Sequence, residues 1–253
     1  MGKSAGALAF SQKELDIVST LHYVCVKRTL IMVMAYCYEQ PRPRVTTKVV
    51  IFTILDDELK LLLSKHSASQ DLWVLPGGYV GIEEDLEANA VRELAEETGV
   101  RGVYLEQLYT FGRPNSDPEK WGITVAYYAL VPSNRLQIKA VTGTHAVGWF
   151  ALGELPVLSP EHQGIVALAQ QRLAAKLDYS TIAFQFMPEK FTLSELQAVY
   201  EIILRERMDK RNFRKWVMAL ERIEDTGEER RNGGRRPARL YRARFPGKVE
   251  IIR

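Results

Sequence analysis

Gly78-Tyr-Val-Gly-Ile-Glu-Glu84-Asp-Leu-Glu-Ala-Asn-Ala-Val-Arg92-Glu93-Leu-Ala-Glu96-Glu97-Thr-Gly99-Val100 is a glycine followed by a helix loaded with acid on one side. Asp85–Thr98 reads as that helix, stopped by Gly99, the residue expected just past a helix end. At about 100° per residue, Glu93, Glu96 and Glu97 share a face, being i, i+3 and i+4. Ala88, Val91 and Ala95 fall roughly opposite, where they can pack on a sheet. Like charges at this spacing repel by ~0.2–0.5 kcal/mol per neighbouring pair. Hard divalent cations bound by carboxylate oxygens would offset that repulsion, and Arg92 can hold Glu84 as a bidentate pair. The plain alternative is a solvated acidic face, which is what most charge runs are.

The flanks supply the frame for this helix. Pro41-Arg-Pro-Arg44 is an extended lead-in, since proline disfavours helix at the residue before it. Val45–Leu55 is a β-branched, apolar strand, Asp56-Asp57-Glu58 a polar turn and Leu59–Ser64 a second strand, which together predict a hairpin. Trp73–Leu75 runs into Pro76-Gly77-Gly78, which ends any strand there. Val103–Phe111, Ile123–Val131 and His145–Phe150 read as further strands. Glu161–Leu177 reads as a helix with Ile165, Leu168, Ala169 and Leu173 at helical spacing. Strands mixed with helices predict an α/β layered domain.

The character changes after Asp178. Thr192-Leu-Ser-Glu195 is a capping box opening a helix striped with Leu193, Leu196, Val199, Tyr200 and Ile203. Asp209 can cap a second helix, apolar at Phe213, Trp216, Val217 and Leu220, and basic on its other side. Ile223 onward and Ala238–Phe245 can pair as a hairpin around Asn232-Gly233-Gly234. Helix, short turn, basic helix and basic hairpin is the order of a winged helix-turn-helix. The charge follows this division. The chain's 253 residues carry a net charge of +3, but residues 1–179 hold 17 basic and 20 acidic side chains and residues 180–253 hold 17 and 11. We therefore expect an N-terminal arm over 1–44, an α/β domain over 45–178 and a winged helix over 179–253.

The two cysteines, Cys25 and Cys37, are not spaced as Cys-x-x-Cys, which argues against a zinc site or disulfide framework. The most apolar early stretch, Leu30–Tyr38, is far short of the roughly 20 residues that span a bilayer. Ser11–Asp16 interrupts any signal-peptide pattern, so the expected location is the cytoplasm. Residues 1–44 fit poorly with the α/β domain that begins at Val45, and a native start near Met34 is the expectation for them.

Gly78, Glu84, Arg92, Glu93, Leu94, Glu96, Glu97, Gly99 and Val100 together match the nine specified positions of the Nudix signature, Gly-x5-Glu-x7-Arg-Glu-U-x-Glu-Glu-x-Gly-U, with U a bulky aliphatic residue. The resemblance implies a Nudix α/β/α sandwich and a ligand that is a nucleoside diphosphate linked to another moiety. It implies Mg²⁺ or Mn²⁺ held through Glu93, Glu96 and Glu97 with the Gly78 carbonyl as a further ligand. Arg92, Glu93, Glu96 and Glu97 become the catalytic set, in which Glu93 or another carboxylate takes a proton from water. Gly77, Gly78 and Glu84 fall on the ligand side, with Lys65 and His66 from the second strand. Relatives often carry Arg where this chain has His66. His162 is a further contact on this reading, against the simpler role of a local cap or packing residue.

On the second helix, Lys210, Arg211, Asn212, Arg214 and Lys215 are candidates for phosphate and base-edge contacts, and Arg235, Arg236 and Arg239 on the hairpin are placed to hold a DNA backbone as a wing does. An isolated basic helix is more often merely solvated, but the context here favours duplex DNA. Phe191–Tyr200, Asp209–Arg214, Asp225-Thr-Gly227, Arg236–Tyr241 and Leu105–Gly112 resemble the Nudix-related transcriptional regulators (NrtR), a likeness extending from Val45 to Tyr241. It implies a homodimeric repressor that senses ADP-ribose in many members, and sugars or other ligands in others, and binds operators near NAD-biosynthesis genes. Many members have a degraded Nudix string, whereas this chain keeps Arg92, Glu93, Glu96 and Glu97. The alternative is therefore an active ADP-ribose pyrophosphatase releasing AMP and ribose 5-phosphate, alone or combined with DNA binding.

Overall fold

Val49 to Phe52 are all fully buried, so the apolar run that reads as a strand is covered on both faces. A computed structural model describes residues 23–26, 29–32, 42–66, 72–113, 122–135, 144–231 and 237–252. The chain forms two units, Met1–Pro43 and Arg44–Arg253. In the first, β1 (Tyr23–Val26) and β2 (Thr29–Met32) pair antiparallel. The expected start at Met34, and Cys37, lie outside the described residues.

In the second unit β3 (Arg44–Leu55) and β4 (Glu58–His66) form the expected hairpin. Asp56 and Asp57 turn it with φ of 55° and 58°, the left-handed pair that matches the twist of flanking strands and that short polar side chains tolerate. The sheet is completed by β5 (Trp73–Val74), β6 (Tyr104–Arg113), β7 (Gly122–Leu130) and β8 (Thr144–Ala151). Its order is β5-β4-β3-β7-β6, with β8 on β4. The β3–β7 pair is parallel and runs from Arg44 opposite Gly122 to Phe52 opposite Leu130.

Strand alternation divides the core into two faces. Val49, Ile51, Leu62, Val125, Tyr127 and Ala129 pack against Ala90 and Leu94 of α1 (Leu86–Thr98). Val50, Phe52, Leu61, Leu63, Tyr128 and Leu130 join Ile165, Ala169 and Leu173 of α2 (Pro160–Leu177) on the other face. This is the expected α/β/α sandwich. The helix ends follow their caps: Asp85 accepts from the Ala88 amide, Ser159 from the His162 amide, and Gly99 at φ 75° donates to the Ala95 carbonyl.

The second core face continues past residue 178 through Ile182, Phe186, Phe191, Leu196, Tyr200, Phe213, Val217 and Tyr241. A 3₁₀ turn at Ile182–Phe186 leads to α3 (Leu193–Leu204), α4 (Lys210–Ala219), β9 (Ile223–Arg230) and β10 (Ala238–Ala243). Thr192 and Glu195 make both bonds of the capping box. The rings of Tyr200, Phe213 and Trp216 lie 5.4–5.7 Å apart and lock α4 onto α3. The two strands pair antiparallel as the wing, whose turn at 232–236 lies outside the described residues. Among the described residues, no helix is long and apolar enough to cross a membrane.

Candidate functional site

The glycine loop is fastened to the edge of β3. Val49 donates to the Pro76 carbonyl at 2.9 Å, Thr47 to the Gly78 carbonyl at 2.9 Å and Val80 to the Val45 carbonyl at 3.0 Å. Gly77 adopts φ 135°, and a Cβ on it would stand 2.1 Å from the Thr47 carbonyl oxygen. At Gly78 a Cβ would meet the Glu93 carboxylate at 2.3 Å. Gly77 is thus required by its close approach to the β3 backbone, and Gly78 brings the loop against the acidic helix.

The helix is bound to this loop by polar side chains that face the sheet. Glu97 is 6% exposed and accepts from the Gly77 amide at 3.0 Å and the Ser64 hydroxyl at 2.7 Å. Asn89, fully buried, accepts from Thr47 and donates to the Tyr79 carbonyl and to Glu84. The sheet-facing side is therefore Asn89, Ala90, Leu94, Ala95 and Thr98. This corrects the sequence reading: Ala88 is exposed and Val91 is 49% exposed. Hydrogen bonds that Asn89 and Glu97 share with the strands and loop, which apolar spacing does not register, rotate the helix away from that reading.

Arg92 holds Glu84 in the expected fork, Nε to Oε1 at 2.8 Å and Nη2 to Oε2 at 3.0 Å. Its Nη1 also reaches Glu93 at 2.9 Å and Glu96 at 3.0 Å. The Arg92 fork, helped by the Asn89 amide, pulls the Glu84 carboxyl down to about 2. A depressed carboxyl stabilises the fold above its unfolded value near 4.5 and loses that contribution as pH falls toward 2. The wild type is expected to lose melting temperature over this window more steeply than Glu84→Gln. Thermal melts from pH 5 to pH 2.5 check this, and parallel curves would refute it.

Lys48 belongs to no motif that the sequence displays. From β3 its ammonium donates to the Gly77 carbonyl at 2.8 Å and the Leu75 carbonyl at 3.2 Å. Burial lowers its pKa, while Glu97, Glu93 and Glu161 pull it back up. A lysine next to the buried apolar run Val49–Phe52 was the available signal. His162 Nδ1 accepts from the Leu75 amide at 3.4 Å, and burial holds the ring down at about 4, hence neutral. It supports the loop from the start of α2, which is a packing role. Lys65 lies on β4 with its ammonium 6.0 Å from the Trp73 ring centroid, and the His66 backbone ends that strand opposite Thr144.

Whether these residues suit a divalent cation can be judged from their partners. Glu93, Glu96 and Glu97 are hard oxygen donors of the right chemistry. Yet both Glu97 oxygens accept protein hydrogen bonds, Arg92 holds Glu93 and Glu96, and the Gly78 carbonyl accepts from Thr47. Among the described residues, no group of three acidic, histidine or cysteine side chains is arranged to hold a metal ion. As arranged, the set does not fit a cation.

On the winged helix, Lys210, Arg211, Asn212, Arg214 and Lys215 are all exposed, while Phe213 and Val217 are buried. Asp209 caps α4 by accepting from the Asn212 amide at 2.9 Å. The wing is different: Arg239 pairs with Asp225 at 3.1 Å, Arg242 with Glu224 and Arg230 with Glu195. Arg235 and Arg236 lie outside the described residues.

Residues 45–169 match the NUDIX domain and residues 183–243 the NrtR DNA-binding winged helix domain. The chain is 35% identical over 210 residues to the ADPR responsive transcriptional repressor NtrR of Acinetobacter baylyi, covering 81% of this chain and 83% of the relative. The chain belongs to the NrtR family. The crystal structure of Shewanella oneidensis NrtR complexed with a 27mer DNA is similar at a TM-score of 0.70 and 36% identity, over 79% of this chain and 93% of that one. An ADP-ribose pyrophosphatase of Methanocaldococcus jannaschii is 30% identical over 111 residues, 44% of this chain and 64% of that protein. NrtR membership joins a Nudix domain and a winged helix in one chain, and here both are built on a shared core.

Proposed function

We propose that this NrtR chain is a ligand-responsive transcriptional repressor acting in the cytoplasm as a homodimer. Its domains divide at about residue 178. The winged helix binds operator DNA near NAD-metabolism genes, and the Nudix domain binds ADP-ribose or a related nucleoside diphosphate. The observation that carries the reading is the exposed row Lys210, Arg211, Asn212, Arg214 and Lys215 on a helix whose apolar side is locked to α3. Such a row supplies phosphate contacts for affinity and polar groups for base edges. The Acinetobacter relative supports the ligand. Ligand relieves repression only if it prefers the dimer arrangement that fits the operator poorly, since equal affinity for both arrangements shifts nothing.

In the Nudix domain the chain's own groups set the binding surface. Gly77 and Gly78 let the backbone approach a diphosphate, Glu97 fixes the Gly77 peptide, and Arg92 fixes Glu84. A second reading rests on the intact Arg92, Glu93, Glu96 and Glu97: an ADP-ribose pyrophosphatase, whose Mg²⁺ or Mn²⁺ would first have to displace Arg92 from Glu93 and Glu96. One paired assay separates them. DNA upstream of neighbouring NAD genes should shift with the protein on a gel and be released by ADP-ribose, with no AMP formed. Rapid AMP release without a specific shift would establish the enzyme instead.

A further inference from the structure

The glycine loop already has a cation of its own. Lys48 enters the site from β3, the strand to which the loop is fastened, and its ammonium donates to the Gly77 and Leu75 carbonyls. An ammonium has three donors, so one remains beyond these two bonds. Across the Gly77 peptide, the amide nitrogen of the same residue is held by Glu97. The charges of Glu97, Glu93 and Glu161 all favour the protonated form of Lys48. Glu161 is itself anchored by the Thr124 hydroxyl at 2.8 Å. The carboxylates that would bind a divalent ion are meanwhile occupied by Gly77, Ser64 and Arg92.

We propose that the Lys48 ammonium is the resident counter-charge of this Nudix site, replacing a divalent cation in binding and donating to the diphosphate of the ligand directly. The proposal rests on the nucleoside-diphosphate reading and deepens it. A partly desolvated ammonium attracts phosphate oxygens more strongly than an exposed one. The same charge opposes a divalent ion at Glu93 and Glu97, so the two cations compete. A sensor built this way holds its ligand independently of cellular Mg²⁺. It also binds without recruiting the ion that would activate water.

The test uses the full chain, in wild-type form and with Lys48→Gln and Lys48→Arg. Mn²⁺ binding is read by electron paramagnetic resonance without ligand. Wild type and Lys48→Arg should bind Mn²⁺ weakly, and Lys48→Gln about tenfold or more tightly, within the usual range of coupling between sites. ADP-ribose binding by calorimetry should change less than about threefold between EDTA and millimolar Mg²⁺ for the wild type. For Lys48→Gln it should weaken about tenfold in EDTA and recover with Mg²⁺. Thermal melts establish that the variants fold; if Lys48→Gln does not, the wild-type and Lys48→Arg measurements still decide. Wild-type Mn²⁺ binding as tight as that of Lys48→Gln, or wild-type ADP-ribose binding that collapses in EDTA, overturns the proposal. Failure of ADP-ribose to bind under any condition would instead end the ligand reading, leaving the Mn²⁺ comparison to decide the role of Lys48.

Discussion

Gly77→Ala is expected to lower unfolding free energy by about 3 kcal/mol or more and to abolish nucleotide binding. Two separate effects combine. At φ 135° an L residue is strained whatever space surrounds it, and here the new Cβ would also stand 2.1 Å from the Thr47 carbonyl oxygen and 2.9 Å from the Lys48 Cα. Those are backbone atoms of a central strand whose neighbours are fully buried, so the strand cannot yield. The loop must lift off β3, breaking the bonds from Thr47 and Val49 and withdrawing the carbonyl that holds Lys48. For a chain of this size the melting temperature should fall by roughly 6–12 °C. Gly78→Ala gives the contrast. Its Cβ would meet only the end of the flexible Glu93 side chain, which can swing away. That variant should keep most of the stability and lose ligand binding. Equal melting temperatures for Gly77→Ala and the wild type would show that the loop does not depend on this close approach.

Much of this architecture is legible in the sequence because it rests on local chemistry. The β3 run is readable since its centre, Val49–Phe52, is buried on both faces and apolar without interruption, and the ends of α1, α2 and α3 are readable since Asp85, Ser159 and Thr192 cap them. The spacing of Glu84 and Arg92 foretold their fork. The orientation of α1 was not legible. Apolar spacing favoured Ala88, Val91 and Ala95 as the inner side, of which only Ala95 is buried, whereas buried hydrogen bonds from Thr47 to Asn89 and from Ser64 to Glu97 set it. Those partners lie 42 and 33 residues away in sequence, and no local pattern pairs them. The same holds for Lys48, whose partners Leu75 and Gly77 come from a loop beyond the next strand. The basic wing shows the limit of charge counting: Arg239 and Arg242 raise the basic total, yet each faces a carboxylate on β9.

That difference between helix and wing sets the second large expectation. Arg214→Ala combined with Lys215→Ala should weaken operator binding roughly tenfold or more at low salt, and reduce the slope of log affinity against log salt by about 1.8, near 0.9 per lost phosphate contact. Both side chains are exposed on α4, while Phe213 and Trp216 on its other side pack against Tyr200. The double variant should therefore melt within about 0.5 kcal/mol of the wild type and bind ADP-ribose unchanged. Arg239→Ala provides the internal comparison. Its guanidinium pairs with Asp225, and removing it also frees a carboxylate beside the DNA surface. The loss of one positive contact and the exposure of one negative group then both oppose DNA, but only the first changes the count of phosphate contacts. Arg239→Ala should thus shift the salt slope by no more than about 0.9. If the double variant kept the wild-type salt slope, α4 would not be the helix that meets the DNA backbone. Parallel losses of melting temperature and of ADP-ribose binding would show that the substitutions had disturbed the fold.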